Sequence, residues 1–380
     1  MPHRLNMAAR DPTHIVMIGT DPRTRGGISS VIRGWRSAGL FERWPVDYVV
    51  THRDGKPSEK LAAAWHALVA CLALGWRNGR GVLHVHAASR WSFWRKSVYM
   101  AVALAAGWPV VFHLHGGGFA RFLARDSGPA ARRAVRFFLD RAAAIVVLSE
   151  RWAAWMHRVT SNPRIVVIPN SVALPPPVST PREPALVVFA GRCQEAKGLY
   201  DLLDAIALLA PRMPHLRLEC AGEGELHAAL RRARALGIAD RVTLRGWVTP
   251  RERDELLARA TVFVLPSHAE ALPMSMLEAM AAGCPVVASA VGGVPDVLRH
   301  GENGVLVPPK APRVLAEALA AVLADPALAA RMGREARATI AERYTIDRAV
   351  ERLEQVYAAL GVPRGRARAP VAARRLQEIS

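Results

Sequence analysis

Two glutamates, Glu270 and Glu278, stand eight residues apart in the stretch EALPMSMLEAMAAGCPVVAS. The residues between them are mostly apolar, and Gly283 and Pro285 follow, so the pattern predicts a helix that starts near Met274. Amide groups at the amino end of a helix suit a phosphate, and a carboxylate accepts two hydrogen bonds from vicinal hydroxyls of a ribose or hexose. The pair therefore favours a sugar-diphosphate site, although either glutamate alone is better explained as an ordinary helix acid.

The stretch GRCQEAKG, residues 191–198, supplies two cations for a diphosphate. Arg192 and Lys197 follow a predicted strand, and the flanking glycines let the backbone approach a ligand. Arginine can fork two phosphate oxygens, whereas lysine acts as a point charge. The sequence has no Asp-x-Asp motif, so we expect no metal and no cofactor, with the cations and the helix terminus stabilising the departing diphosphate. Considered alone, the loop is also explained as solvated surface.

Short apolar, β-branched runs alternate with helical patterns along the chain. Most of these runs are apolar at every position, which is typical of parallel strands that are covered on both faces. The fold class is therefore α/β, and ligands should bind at the carboxyl ends of the strands. We predict strands at residues 14–19, 46–50, 81–86, 109–115, 143–149, 164–170, 185–191, 215–222, 241–247, 260–267, 284–289 and 304–309.

The proline-rich stretch ALPPPVSTPREP, residues 173–184, is predicted to link two domains. Both sides of it open with a strand, a Gly-containing loop and a helix, so we predict two Rossmann-like domains that face each other across a cleft. The domains cover residues 1–178 and 179–345. A C-terminal helix at 346–360 is predicted to pack back on the first domain, and residues 361–380 form a basic tail.

Residues 270–298, EALPMSMLEAMAAGCPVVASAVGGVPDVL, resemble the Glu-x7-Glu segment of retaining glycosyltransferases of family four. The similarity extends to GRCQEAKG, to AGEGEL at 221–226, to GW at 246–247 and to RGGISSV at 25–31. It covers essentially the whole chain. The resemblance implies the GT-B architecture, with an acceptor-binding first domain and a nucleotide-sugar-binding second domain. It further implies transfer of a hexose with retention of configuration, in bacterial cell-surface or exopolysaccharide biosynthesis.

The same resemblance implies roles for individual residues of the second domain. Glu270 would hold hydroxyls of the transferred hexose, and Glu278 would hold the ribose of the nucleotide. Arg192 and Lys197 would hold the diphosphate and assist its departure. The resemblance assigns Glu270 to substrate binding, although the residue is also placed where a nucleophile could act.

The sequence departs from the family pattern at Pro273, where many relatives have glycine. Proline lacks an N–H group. Phosphate contacts would therefore come from the amides of Leu272, Met274 or Ser275.

In the first domain, the resemblance implies that Gly26 and Gly27 approach the donor phosphate or the acceptor. It also implies that His115, which precedes three glycines, lies near the transferred sugar; a strand-end cap is the alternative. His113 lies deeper on the same face and is interpreted as structural. His86 is explained equally well as an acceptor-side residue or a core histidine.

The formal net charge of +19 is distributed unevenly. Residues 1–180 hold 24 Lys and Arg against 9 Asp and Glu, whereas residues 181–360 hold 22 of each. The first half therefore predicts an anionic partner: a membrane surface, a phosphate-bearing substrate or nucleic acid.

Residues 89–108, SRWSFWRKSVYMAVALAAGW, mix aromatic residues with cations, as at an anionic membrane interface. We therefore expect peripheral binding to the cytoplasmic leaflet and a lipid-linked saccharide as acceptor. A solvated, Arg-rich face is the equal alternative. The residues in question are Trp91, Phe93, Trp94, Arg90, Arg95 and Lys96.

The remaining features favour a cytoplasmic protein. The four cysteines are far apart, which suits a reducing compartment. The first residues lack the apolar run of a signal peptide. The longest apolar stretch, residues 61–76, is shorter than a membrane span and is predicted to be a buried or membrane-facing helix.

Two other classes of function remain open at this point. One is a different GT-B nucleotide-sugar enzyme, such as an epimerase. The other is a basic nucleic-acid-binding protein, although neither a recognition helix nor base-stacking aromatics are evident and no specific nucleic acid is expected. The sequence leaves the donor base, the sugar, the acceptor and the oligomeric state undetermined.

Overall fold

A computed structural model of the protein describes residues 12–52, 62, 65–67, 69, 80–177 and 181–365. The described residues fall into two compact units. Unit 1 takes them from Met1–Leu148, Ala153–Ile168 and Ala349–Ser380, and unit 2 takes them from Ser149–Trp152 and Pro169–Arg348. The predicted boundary at 178/179 lies outside the described residues, as do most of the predicted helix at 61–76 and the tail beyond residue 365.

Unit 1 is built on a six-stranded sheet with the order β2-β1-β3-β4-β5-β6. Each neighbouring pair of strands is parallel. Its elements are β1 (Ile15–Thr20), α1 (Gly27–Ser37), α2 (Leu40–Arg43), β2 (Val46–His52), β3 (Val82–Ala87), α3 (Trp91–Ala105), β4 (Val110–Leu114), α4 (Phe119–Ala124), α5 (Pro129–Arg141), β5 (Ala144–Val147) and β6 (Ile165–Val167), with α6 (Glu150–His157) between the last two strands.

Unit 2 contains a second parallel sheet, with the order β12-β11-β10-β7-β8-β9. Its elements are β7 (Leu186–Ala190), α7 (Leu199–Leu209), β8 (Arg217–Ala221), α8 (Leu226–Ala235), β9 (Val242–Gly246), α9 (Pro250–Arg259), β10 (Val262–Leu265), α10 (Met274–Ala281), β11 (Val286–Ser289), β12 (Val305–Val307), α11 (Pro312–Ala324) and α12 (Pro326–Arg343). The last helix among the described residues, α13 (Ile346–Ala359), belongs to unit 1 from Ala349 onward.

All twelve predicted strands are present, and the predicted α/β class is confirmed. The central strands are buried along their length, as in β7 and β4, because helices cover both faces of a parallel sheet. Continuous apolar runs are the sequence signature of that burial. Nine of the predicted strands are longer than the observed ones, because apolar residues also flank the ladders.

Helix α13 packs its apolar face against unit 1. The Tyr357 hydroxyl and His84 Nδ1 lie 2.6 Å apart, and both residues are fully buried. Arg43 donates to the carboxylate of Glu354 at 2.7 Å. These contacts join helix α13 to strand β3 and to helix α2.

Within the described part of the chain, every helix is too short or too polar to cross a membrane.

Candidate functional site

The two predicted ligand loops of unit 2 follow neighbouring strands. From β7 the chain proceeds outward to β8 and β9, and it then returns to place β10 on the other side of β7. This reversal leaves a crevice outside the carboxyl ends of β7 and β10, where open α/β sheets bind ligands. The 191–198 loop leaves β7 and the 266–273 loop leaves β10, so both predicted loops open onto this crevice.

Lys197 and Glu270 meet directly although they are separated by 73 residues in sequence. The lysine Nζ donates to Glu270 Oε1 at 2.5 Å, and the side chains are 28% and 9% exposed. A partly buried ion pair is held more firmly than a surface one because water screens it less. The structure therefore brings the predicted phosphate cation and the predicted sugar-binding acid into one site.

Glycines keep these loops close together. Gly198 has a φ of +71°, and a Cβ there would lie 2.0 Å from the carbonyl oxygen of Pro266. Gly292 has a φ of +54°, and a Cβ there would lie 1.8 Å from the carbonyl oxygen of Glu270. Only glycine fits either position without moving the loop that carries Glu270.

A polar side chain and a backbone amide complete the support of this loop. Asn170 donates its side-chain amide to the carbonyl oxygen of Leu272 at 2.7 Å. The amide of Gly293 donates to the carbonyl oxygen of Ala271 at 2.8 Å. The loop is thus fixed by hydrogen bonds immediately before helix α10 begins.

Helix α10 begins at Met274, as predicted, with Pro273 as its N-cap. Pro273 has no side chain that could accept from the first amides of the helix, and no other described side chain caps it. Met274 and Ser275 form the first turn, so their amides point out of the helix toward the crevice. Leu272 precedes the helix and is 3% exposed.

Glu278 lies one turn into α10, and its carboxylate accepts from Arg253 of α9 at 2.6 Å. The Glu278 side chain is 14% exposed and that of Arg253 is 28% exposed. Sequence analysis did not single out Arg253, which lies on a helix rich in charged residues. Only the packing of α9 beside α10 distinguishes it from its solvated neighbours.

Arg192 is exposed, whereas Lys197 is partly buried. Its guanidinium has no hydrogen-bond or ion-pair partner among the described residues. The cation is therefore at the carboxyl edge of β7 and remains available to a ligand.

Gly26 and Gly27 lie at the amino end of α1 in unit 1, immediately after the β1 loop. Both are exposed, and Gly26 is the N-cap with no side-chain hydrogen bond to the first turn. In this sheet the strand order reverses between β1 and β3, so the loop also lies at a switch point.

His115 follows β4 at the same edge of the sheet in unit 1. Its Nε2 lies 2.8 Å from Nδ1 of His86, which is fully buried, whereas His115 itself is partly exposed. Burial, with smaller effects from His84 and Lys96, lowers the pKa of His115 to about 3. His115 is therefore a neutral imidazole at physiological pH.

His113 is buried, which agrees with its structural interpretation, and His86 also lies in the core. In the predicted membrane interface of α3, two of the six residues are buried. Trp91 is 84% exposed, but Phe93 is fully buried and Lys96 is 1% exposed. The expectation that Phe93 and Lys96 face a membrane is wrong, because the α3 face that carries them packs into the core.

Two family descriptions match adjoining parts of the chain. Residues 46–174 match "Glycosyltransferase Family 4", and residues 174–339 match "Glycosyl transferases group 1". Together the two matches cover residues 46–339, so the chain is similar to glycosyltransferases of this type along most of its length. The second match contains all of the site residues described in unit 2 except Asn170.

An exopolysaccharide phosphotransferase of Streptomyces coelicolor is 35% identical over 225 residues. The alignment covers 57% of this chain and 23% of the relative, so the chain spans less than a quarter of that protein's length.

Two solved structures share the fold across nearly the whole chain. Sucrose-phosphate synthase from Thermosynechococcus elongatus superposes with a TM-score of 0.77 at 23% identity, covering 93% of this chain and 99% of that one. Anabaena HepE, in complex with UDP and glucose, gives a TM-score of 0.72 at 17% identity, covering 91% and 100%. These likenesses confirm the predicted GT-B fold.

Proposed function

We propose that the protein is a retaining hexosyltransferase that uses a nucleotide-diphosphate sugar as donor and a saccharide as acceptor. The observation that carries this proposal is the meeting of Lys197 and Glu270 at the switch point of unit 2, beside the uncapped amino end of α10. A cation, an acid and outward-pointing amides are the groups that a sugar diphosphate requires.

The diphosphate would bind between the 191–198 loop and the first turn of α10. Lys197 and Arg192 supply positive charge, and the amides of Met274 and Ser275 supply donors with a fixed direction. These groups interact more strongly with a departing diphosphate than with the intact donor, because negative charge grows on the leaving oxygen.

The two glutamates would hold the sugars on either side of the diphosphate. Glu270 is 8% exposed and is fixed by Lys197, so its carboxylate can accept from hexose hydroxyls in one orientation. Glu278 would accept from the ribose, with Arg253 fixing its carboxylate. The donor base is left undetermined by these contacts.

Retention would follow if the acceptor hydroxyl attacks on the face from which the diphosphate departs, with a phosphate oxygen taking the proton. His115 would then act as a neutral hydrogen-bonding group near the sugar and not as a general acid, because its pKa is lowered to about 3. Gly26 and Gly27 would let the first loop of unit 1 approach the donor phosphate or the acceptor.

The acceptor would be a lipid-linked saccharide in bacterial exopolysaccharide biosynthesis, reached by peripheral binding to the cytoplasmic face of the membrane. The basic first half of the chain supports this part of the proposal, as does the exopolysaccharide relative. The exposed Trp91 provides an aromatic group that could enter a lipid interface.

A panel of UDP- and GDP-sugars tests the proposal. We expect one of these donors to release its nucleotide, and the correct acceptor should increase the rate of release. NMR of the product should show the same anomeric configuration as in the donor. Glu278→Gln should raise the KM for that donor about tenfold or more, because a hydrogen bond to a charged group is lost, whereas Glu302→Gln, an exposed acid of unit 2, should not. If no donor is bound or turned over, the proposal fails. An epimerised sugar formed without an acceptor would identify an epimerase instead.

A further inference from the structure

A lysine is buried at the ligand edge of unit 1 without an acid beside it. Lys96, on the second turn of α3, is 1% exposed. Its Nζ reaches the hydroxyl of Ser92 at 3.4 Å, and no carboxylate among the described residues pairs with it. Buried lysines are rare unless they are paired, because removing an ammonium from water is costly.

The preceding residue, Arg95, also has a buried nitrogen that lacks a hydrogen-bond partner. Its buried Nε–H has no acceptor among the described residues, while Nη1 lies 3.3 Å from Nδ1 of His52. An arginine nitrogen can only donate, so a buried Nε–H without an acceptor indicates a missing acceptor. Burial lowers the pKa of Lys96 to about 7, and the positive charge of Arg95 contributes to this shift.

Histidines extend the cluster without supplying an anion. His86 and His113 each bury an Nε2 that has no partner in the described part of the chain. Burial is the main cause of the lowered pKa of His86 and of His115, and the charge of the nearby Lys96 lowers both pKa values further. A neutral imidazole supplies one donor and one acceptor nitrogen, so the excess of hydrogen-bond donors in the cluster of Arg95, Lys96, His86, His113 and His115 comes from Arg95 and Lys96.

The cluster also lies near the carboxyl ends of two strands of the sheet. His115 follows β4 and is partly exposed, and the amide of Ala88, just after β3, donates to the Ser92 hydroxyl at 3.1 Å. Strand β3 borders the switch point of this sheet. The basic cluster thus lies immediately behind the carboxyl ends of β3 and β4, which is the ligand edge of such sheets.

We propose that Lys96 and Arg95 bind a phosphoryl group of the acceptor substrate, such as the diphosphate of a lipid-linked saccharide. This inference rests on the proposed glycosyl transfer and names the chemistry by which unit 1 recognises the acceptor. Phosphoryl oxygens would accept from the Lys96 ammonium and from Arg95 Nε, and His115 would lie at the mouth of the site.

A metal ion is the competing occupant. Ring nitrogens of His84, His86 and His113 lie within 4.8 Å of one another, and three histidines form the ligand set of some zinc sites. A divalent cation would, however, be repelled by Lys96 and Arg95, whose charge is offset by no carboxylate of the described residues. Charge therefore favours an anion.

The test measures binding of inorganic pyrophosphate and of geranyl diphosphate by titration calorimetry. The proteins are the wild type, Lys96→Met and Arg95→Gln, with Lys310→Met as the control at an exposed lysine of unit 2. Lys197→Met is included to identify binding at the donor site. Lys96→Met should keep or raise the Tm, because methionine replaces an unpaired buried charge with an apolar group of similar length.

We expect Lys96→Met and Arg95→Gln to weaken binding of geranyl diphosphate about tenfold or more, and Lys310→Met to leave it unchanged. Weaker binding of geranyl diphosphate than of pyrophosphate would indicate a site for free phosphate and not for a lipid headgroup. The proposal would be overturned if Lys197→Met weakened the binding of geranyl diphosphate and Lys96→Met did not. Stoichiometric zinc in the purified protein would also overturn it. Nucleotide release by the wild type is assayed separately, so failure of the donor reaction is distinguished from failure of this site.

Discussion

At the scale of single residues, the ion pair of Lys197 and Glu270 decides how the site of unit 2 can work. Its N–O distance of 2.5 Å joins a residue from the β7 loop to one from the β10 loop. Each group orients the other, so a donor that binds across them meets a carboxylate and an ammonium already in position. Such preorganisation reduces the rearrangement needed when charge develops.

Removing either member of this pair should abolish most of the activity. Glu270→Gln and Lys197→Met are each expected to lower kcat/KM about 100-fold, because each leaves the other charge without its partner at the reacting sugar. The double variant should lose less than the product of the two single losses. Steady-state rates measure this, with circular dichroism to verify folding and Lys310→Met as control. Fully multiplicative losses would show that the two residues act independently.

The buried histidines of unit 1 should make the protein sensitive to acid. Burial lowers the pKa of His84 to about 3, against 6.5 for an ordinary histidine. A lowered histidine pKa means that its contribution to stability is complete above about pH 6.5 and is lost as the pH falls toward 3, because the unfolded chain takes up the proton first. One such residue removes about 2 kcal/mol of unfolding free energy between pH 6.5 and 5.

Urea unfolding at a series of pH values checks this expectation. Stability should fall steeply below about pH 6.5 in the wild type, and the slope should be smaller in a His84→Gln variant. His157→Gln is the control because His157 is exposed, near the end of the short helix α6. A flat profile between pH 7 and 5 would contradict the burial of neutral imidazoles.

At the scale of secondary-structure elements, the positions of the site loops depend on close backbone approaches. Gly292, in the loop after β11, lies against the carbonyl oxygen of Glu270. The position of Glu270 is thus set by a segment that takes no direct part in the proposed chemistry.

Gly292→Ala should therefore impair the site more than it destabilises the fold. The added Cβ would lie 1.8 Å from the Glu270 carbonyl oxygen, so the loop must move. Gly301→Ala is the matched control, because Gly301 also has a positive φ, +81°, but nothing lies within 4 Å of its Cβ. Both variants carry about 1 kcal/mol of backbone strain, and only Gly292→Ala should raise the donor KM. Equal effects of the two variants would show that strain alone matters.

The contact between α13 and β3 provides a second prediction at this scale. Tyr357→Phe removes the hydroxyl that lies 2.6 Å from Nδ1 of the buried His84. We expect a loss of about 1–3 kcal/mol in unfolding free energy, because a buried polar group then lacks its partner. Tyr200→Phe, which removes an exposed hydrogen bond to Glu225, should have little effect in the same thermal unfolding experiment. Similar losses in both variants would argue against a special role for the buried contact.

At the scale of the whole molecule, charge is the feature that distinguishes the two halves of the chain. Residues 1–180 carry 15 of the 19 net positive charges, since 24 Lys and Arg stand against 9 Asp and Glu there. The structure divides these cations into two groups: some, such as Lys96, are buried at the ligand edge, and others, such as Arg133, are on the surface. The buried cations fit a bound phosphate, whereas the surface cations fit an anionic membrane.

Liposome flotation tests the surface part of this division. The protein should float with vesicles that contain anionic lipid, and the association should weaken with salt. Trp91→Ala should reduce the floating fraction, because Trp91 is the exposed aromatic residue of α3, whereas Trp247→Ala in unit 2 should not. Absence of lipid-dependent flotation at moderate salt would contradict membrane binding.

Much of the fold could be read from the sequence because burial on both faces leaves continuous apolar runs. The strands from Ile15–Thr20 to Val305–Val307 were all predicted, as was the start of α10 at Met274. The interpretation of α3 was partly wrong for the same reason. A mixture of aromatic residues and cations looks like a surface, and only packing shows that Phe93 and Lys96 turn inward.

By itself, the sequence determined the α/β class, the repeated strand-loop-helix pattern and the residue types of the proposed donor site. Those properties are local, since they depend on periodicity, turn residues and spacing within a few tens of positions. The tertiary structure alone decided that Lys197 pairs with Glu270, that Arg253 holds Glu278 and that Lys96 is buried without an acid. These contacts join residues that the order of strands in a sheet brings together, and strand order is set by long-range packing that no short stretch of sequence encodes.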